Sequence, residues 1–371
     1  MKLVVFGLAV TSSWGNGHAT LWRALGRAWA ARGHRLVFFE KDQPYYASHR
    51  DQREPPGIAV VLYADWASAS RRARLELVDA DAVLVTSFCP DAGPASDLAL
   101  SAARPVRGFY DLDTPVTLGQ VERGQPVAYL PPYGLAPFDL VLSYTGGRAL
   151  EQLISRLGAR RAVPFYGWVD QEVHRPVGPV RAWRGDLSFL GTYSADRQPA
   201  LERLLLAPAD RLPHRRFVLA GAQYPQDFPW RENLWFLSHL APSAHAAFYV
   251  SCPLTLSVTR ASMAALGYCP SPRFFEAAGC GIPVLSDRWE GLETFFEPGR
   301  EVLVADTTED AVAAIERSPG ELREIGEAAR ARVMAQHTAA RRAAELERLL
   351  FADDTDSLFS GPTWANAPAP G

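Results

Sequence analysis

The sequence predicts an α/β protein built from two doubly wound, Rossmann-like halves. Short apolar runs alternate with helix signals along almost the whole chain, as in mainly parallel sheets covered on both faces. The alternation lapses between Val163 and Trp183, where VPFYGWVDQEVHRPVGP is rich in Pro and Gly and has little periodicity. With 371 residues and a hydrophobic fraction of 48%, the chain can fill two cores. It divides accordingly into a first domain over 1–165, a connector over 166–183, a second domain over 184–351 and a disordered tail over 352–371.

Lys2 to Ala9 reads as a buried strand, followed by SSWGNGHA and a helix from about Ala19 to Arg32 with Leu21, Trp22, Leu25 and Trp29 on one face. His34 to Glu40 returns as a second strand. In such a unit ligands sit beyond the carboxyl ends of the strands. Gly15, Asn16 and Gly17 form an incomplete glycine motif at the helix start, whose backbone N–H groups suit an acceptor or a phosphate. Further strands are predicted over Ile58–Tyr63, Ala82–Thr86, Val106–Tyr110 and Leu140–Ser143. Tyr110 to Pro115 places Asp111 and Asp113 at a strand end on the ligand rim. His18 and Asp113 are the acid/base candidates. Each has a plainer reading: a histidine bonded to backbone, and an aspartate capping the helix that follows.

The second half continues with DLSFLG, RFVLAG, NLWFL, TLSVTR, PVLSD and EVLVA as strands. GTYSADRQ follows the first of them. There Gly191 permits close backbone approach, Thr192 offers a hydroxyl, and the Arg197 guanidinium suits a diphosphate. Arg260, at the end of TLSVTR, is a second phosphate candidate, although a solvated arginine looks the same in sequence. Ser271 to Asp287 is the most informative stretch. Ser271 is an N-cap and Pro272 suits the first helical position, while Gly279 and Gly281 end the helix. Arg273 and Glu276 lie in its first turns. Phe274, Phe275, Ala277 and Ala278 make this helix buried, where an unpaired Glu276 carboxylate is costly and a ligand would resolve the cost. Ser318, Pro319 and Glu321 open one last helix running to about Phe351.

Ser271–Asp287 and the following GLETFFEPGREVLV, Gly291–Val304, resemble the donor-binding segment of group 1 glycosyltransferases with the GT-B architecture. The resemblance is strongest to the branch related to the spore-maturation protein CgeB. It implies two Rossmann-like domains facing a cleft, a last helix crossing back to the first domain, and a nucleotide-diphosphate sugar as co-substrate with no other cofactor. It also implies that Glu276 holds ribose hydroxyls and that Gly191, Thr192, Arg197, Arg260 and Arg273 line the diphosphate side. An unidentified acceptor would sit on the first domain, and the halves would close around the connector, with Gly167 and Gly178 as hinges. Many relatives carry a second glutamate eight residues before Glu276, where this chain has Tyr268. Two rivals stand beside sugar transfer: a nucleotide-sugar epimerase on the same fold, and a non-catalytic sugar- or nucleotide-binding protein.

A net charge of −3 and an isoelectric point near 6.3 lack the basic footprint of nucleic-acid binding. The four cysteines have no CxxC spacing and the N-terminus lacks a basic signal region, pointing to reduced thiols in the cytoplasm. No apolar run reaches the roughly 20 residues of a membrane span, which leaves peripheral contact as the one membrane option. Histidines occur singly, without HExxH or paired Cys/His spacing, so no metal site is expected.

Overall fold

The computed structural model describes residues 1–351, and the predicted tail over 352–371 lies outside the described residues. The first sheet holds β1 (Lys2–Gly7), β2 (Arg35–Lys41), β3 (Ala59–Tyr63), β4 (Ala82–Thr86), β5 (Val106–Asp111), β6 (Leu140–Ser143) and β7 (Ala162–Pro164), in the order β3-β2-β1-β4-β5-β6-β7. The second holds β8 (Leu187–Leu190), β9 (Phe217–Ala220), β10 (Leu234–Leu237), β11 (Thr255–Ser257), β12 (Val284–Ser286) and β13 (Leu303–Val304), in the order β10-β9-β8-β11-β12-β13. All pairings between these strands are parallel. Buried on both faces, the central strands β1 and β4 read as continuous apolar runs, as parallel strands under two helix layers must.

The chain passes from one sheet to the other between β7 and β8. β7 is only three residues long and lies at the sheet edge, which explains why no periodicity announced it and why Pro164 is tolerated there. Leu21, Trp22, Leu25 and Trp29 of the helix Gly17–Ala31 share a core with Ala339, Ala343, Leu346 and Leu350 of the last helix, which thus packs on the first half. Arg32 and Glu347 pair across the same contact.

The single C-terminal helix expected from the sequence is two helices, Pro319–Gln336 and Ala339–Phe351. The connector makes the break. Val169 donates its N–H to the His337 carbonyl at 2.8 Å and accepts the Ala339 N–H at 3.0 Å, so backbone groups of the interrupted helix find partners outside it. Arg342, buried just beyond, donates through Nε to the Tyr166 carbonyl at 3.0 Å. Gly167, expected as a hinge, is tightly packed: any Cβ there would collide with the Tyr144 hydroxyl. Gly178 faces open space.

Candidate functional site

On the first-half rim, a buried carboxylate shapes the loop after β1. Glu40 accepts the N–H groups of Val10 and Thr11 at 2.7 and 2.9 Å, and Asp51 ties Ser13 to the Arg23 guanidinium. Gly15 takes the left-handed conformation (φ 59°) that the turn requires. Asn16 is used up within the loop: its amide donates to the carbonyls of Ala9 and Ser12, and its oxygen caps the helix by accepting the His18 N–H at 3.1 Å. Gly17 borders open space.

That cap fixes the His18 backbone and frees its ring. His18 Nε2 lies 2.9 Å from Asp113 Oδ2, which also accepts the Ser87 hydroxyl at 2.9 Å, while His18 Nδ1 is buried without a hydrogen-bond partner among the described residues. Asp113 occupies the N-cap position of the helix Thr114–Glu122, but its side chain makes no capping bond. The carboxylate is thus committed to the histidine. Burial works to raise the Asp113 pKa, and His18, Ser87 and the nearby Arg260 outweigh it, so the group sits below its ordinary value. Asp111 behaves in the opposite way. Fully buried, with Oδ2 unpartnered and the Asp113 charge beside it, it is pushed up to about 7.

Across the cleft, Gly191 directly follows β8 and a Cβ there would press on the Phe189 ring. Arg197 donates from Nη1 to the carbonyl of the exposed Thr192 at 3.1 Å, and its Nε is buried without a partner. Burial, followed by the nearby charges of Arg273 and Arg260, pulls the Arg197 guanidinium down to about 10. The three arginines thus lie within electrostatic reach of one another. Arg260 stands at the N-cap of the helix Ala261–Leu266, 3.5 Å from Asp196, and its charge reaches Asp113 on the other half.

Ser271 caps the helix Pro272–Gly279 by accepting the Arg273 N–H. Glu276 is buried, as the apolar body of the helix predicts, but its carboxylate has protein partners and the premise of an unpaired charge is corrected. Tyr249 donates its hydroxyl to Oε2 at 3.0 Å, with His245 Nδ1 at 3.6 Å and His174 Nε2 at 4.0 Å from the same oxygen. Burial alone would raise this carboxyl; the two imidazoles and Arg273 hold it well below the carboxylate range. Burial depresses His174, whose two ring nitrogens both lack hydrogen-bond partners. Sequence reading missed these residues. His245 and Tyr249 at least share a helix face by their spacing, whereas His174 comes from the connector and gave no signal.

The halves touch around the site. The Trp14 ring lies 3.8 Å from that of His239 and 4.4 Å from that of His49. Gly146 donates its N–H to the Tyr268 carbonyl at 3.0 Å, and Arg148 pairs with Glu290 at 2.9 Å. Tyr268, in the position of the relatives' second glutamate, adopts φ 47° with its ring between Gly147 and Gly291, each of which would clash with it if given a Cβ.

With this architecture in view, the chain superposes on solved structures over nearly its full length. Sucrose-phosphate synthase from Thermosynechococcus elongatus matches at 15% identity and TM-score 0.65, over 94% of this chain and 98% of that one. The Anabaena protein HepE, in complex with UDP and glucose, matches at 14% identity and TM-score 0.66, over 94% and 99%. An α-glucosyltransferase in complex with UDP matches at 10% identity and TM-score 0.69, over 94% and 99%. The fold is GT-B. Residues 197–348, less than half of the chain, match a family model described as glycosyl transferase-like. No curated protein matches the sequence. Within the GT-B fold, the matched residues carry the whole helix that presents Glu276 and Arg273, together with Arg197 and Arg260. Among the described residues, no helix is long and apolar enough to cross a membrane.

Proposed function

We propose that the protein transfers a sugar, most simply a hexose, from a nucleotide-diphosphate donor to an acceptor bound on the first-half rim. The observation that carries the reading is a His18 ring held 2.9 Å from the Asp113 carboxylate on the first half, together with a buried Glu276 on the second half whose carboxyl Arg273 helps hold down. UDP in the fold's solved relatives supports uridine nucleotides as the first donors to try. Glu276 accepts hydrogen bonds from ribose hydroxyls through Oε1, the oxygen that Tyr249 leaves free. The arginines and the N–H groups of the 191–197 segment stabilise the charge that grows on the departing diphosphate, and the transfer chemistry itself runs through no metal. Asp113 holds His18 by Nε2, so Nδ1 is the nitrogen that takes the acceptor's proton. The resemblance of Ser271–Val304 supports membership of the CgeB-related branch, and the four cysteines, all buried free thiols, fit a reducing cytoplasm.

The test is calorimetric titration with UDP and UDP-sugars, followed by a nucleotide-release assay with candidate acceptors. Glu276→Ala should weaken UDP-sugar binding by about 1.5–3 kcal/mol, the worth of hydrogen bonds to a charged group. It should also lower stability, because Tyr249 loses its acceptor; Tyr249→Phe separates the two effects. Equal affinity in wild type and Glu276→Ala discards the ribose assignment. Binding without nucleotide release under any acceptor condition would leave a non-catalytic binding protein.

A further inference from the structure

We infer that His174, His245 and Glu276 form a binding site for a divalent transition-metal ion such as zinc. Their ligand atoms all lie within 4.8 Å of one another. A tetrahedral ion with bonds of about 2.0–2.1 Å sets its ligands roughly 3.3 Å apart, so loading asks the side chains to draw in by up to about 1.5 Å. The closest pair, His245 Nδ1 and Glu276 Oε2 at 3.6 Å, is nearly at that spacing already.

The second observation is His174 itself. It is 5% exposed, and neither ring nitrogen has a hydrogen-bond partner among the described residues. A buried imidazole left in that condition pays for at least one unmet donor or acceptor. An ion on Nε2 supplies the missing partner. Tyr249, already donating to Oε2, then serves as the outer-shell partner that fixes the carboxylate.

The donor set selects the ion. Two imidazoles and one carboxylate, with the Arg273 guanidinium close by, disfavour magnesium and calcium, which require mostly oxygen ligands and negative charge. Zinc accepts nitrogen and oxygen together and leaves one position for water. The three ligands come from the connector, the helix His245–Tyr249 and the helix Pro272–Gly279, so the ion would pin the connector to the second half. Scattered spacing of this kind is invisible to a motif search. The site shares Glu276 with the donor reading, using Oε2 where the ribose would use Oε1, and because it is tested with the metal alone its failure is distinguishable from failure of that reading.

The experiment uses the full chain, freed of metal with a chelator and titrated with Co²⁺ without nucleotide. One equivalent should give the intense visible d–d bands of a tetrahedral site, and Zn²⁺ should abolish them and raise the melting temperature. His174→Ala and His245→Ala should each weaken Co²⁺ binding by more than the 10–100-fold that an outer-shell change costs, and Tyr249→Phe by an amount within that range. Absence of both bands and thermal shift in the wild type overturns the proposal, as does unchanged binding in either histidine variant. If the variants fail to fold, X-ray absorption of the zinc-loaded wild type decides: two imidazole scatterers support the site, and none overturns it.

Discussion

Replacing Asp111 by Asn should make the protein more stable at pH 8 and change it little near pH 4. The reasoning rests on a carboxyl group with no access to water and one oxygen, Oδ2, left without a partner. Its pKa is pushed from 3.8 to about 7 by burial and then by the Asp113 charge. A raised carboxyl favours the protonated form in the fold. Stability from this group is therefore full below the unfolded value near 4, is lost as pH climbs toward 7, and stays lost above it. At about 1.4 kcal/mol per unit, the loss between pH 5 and pH 8 is on the order of 2–3 kcal/mol. Asparagine removes the charge and keeps an oxygen to accept the Asp113 N–H, a bond of 3.0 Å in the wild type. Calorimetric melting of both proteins from pH 5 to pH 8 measures the effect. The gain of Asp111→Asn over wild type should grow steadily across that range; a gap independent of pH would refute the reasoning.

Arg197→Ala and Arg260→Ala should each lower turnover by roughly 10²-fold, the usual cost of losing one charge-stabilising donor, and wild type should bind a nucleoside diphosphate more tightly than the nucleoside. Wild-type indifference to the diphosphate would remove both arginines from the site. Asp113→Asn keeps the shape of the His18 contact but removes its charge, and should cut turnover by about 10²–10⁴-fold with donor affinity nearly unchanged, read by steady-state kinetics beside calorimetry. Gly147→Ala should destabilise by about 1–3 kcal/mol, since its Cβ would lie 2.5 Å from the Tyr268 ring at a backbone φ of 56°. Denaturant unfolding checks this, and Gly178→Ala, which meets open space, is the control.

The two-sheet architecture was legible because parallel strands buried on both faces write themselves as apolar runs, and β2 to β6 fall within a residue of the predicted stretches while β1 stops two residues short of its own. Local signals of the donor helix were equally readable, since an N-cap serine and a proline at the first turn act within the segment that contains them. What stayed hidden depends on contacts distant in sequence. Asp113 could be read as a cap until the fold placed His18 and Ser87 against it. Glu276 looked unpaired because Tyr249 and His245 approach from another helix and His174 from the connector. The break at His337 is likewise invisible locally, since Val169 makes it from far earlier in the chain.

The ring of Tyr268, held between Gly147 and Gly291, has a consequence for how this chain can change over generations. Neither glycine can gain a side chain while the tyrosine is present, and the tyrosine could not have arrived before both positions were bare. The order of substitutions is thereby constrained: bare positions first, the ring second. Returning a carboxylate to position 268 would leave a gap between two glycines that no longer hold anything apart, with the backbone still at φ 47°. Both glycines also adopt positive φ, 56° and 87°, so losing the ring would not by itself admit side chains there; the ring depends on the glycines, across positions 121 residues apart at the nearest between the halves, and the glycines do not depend on the ring.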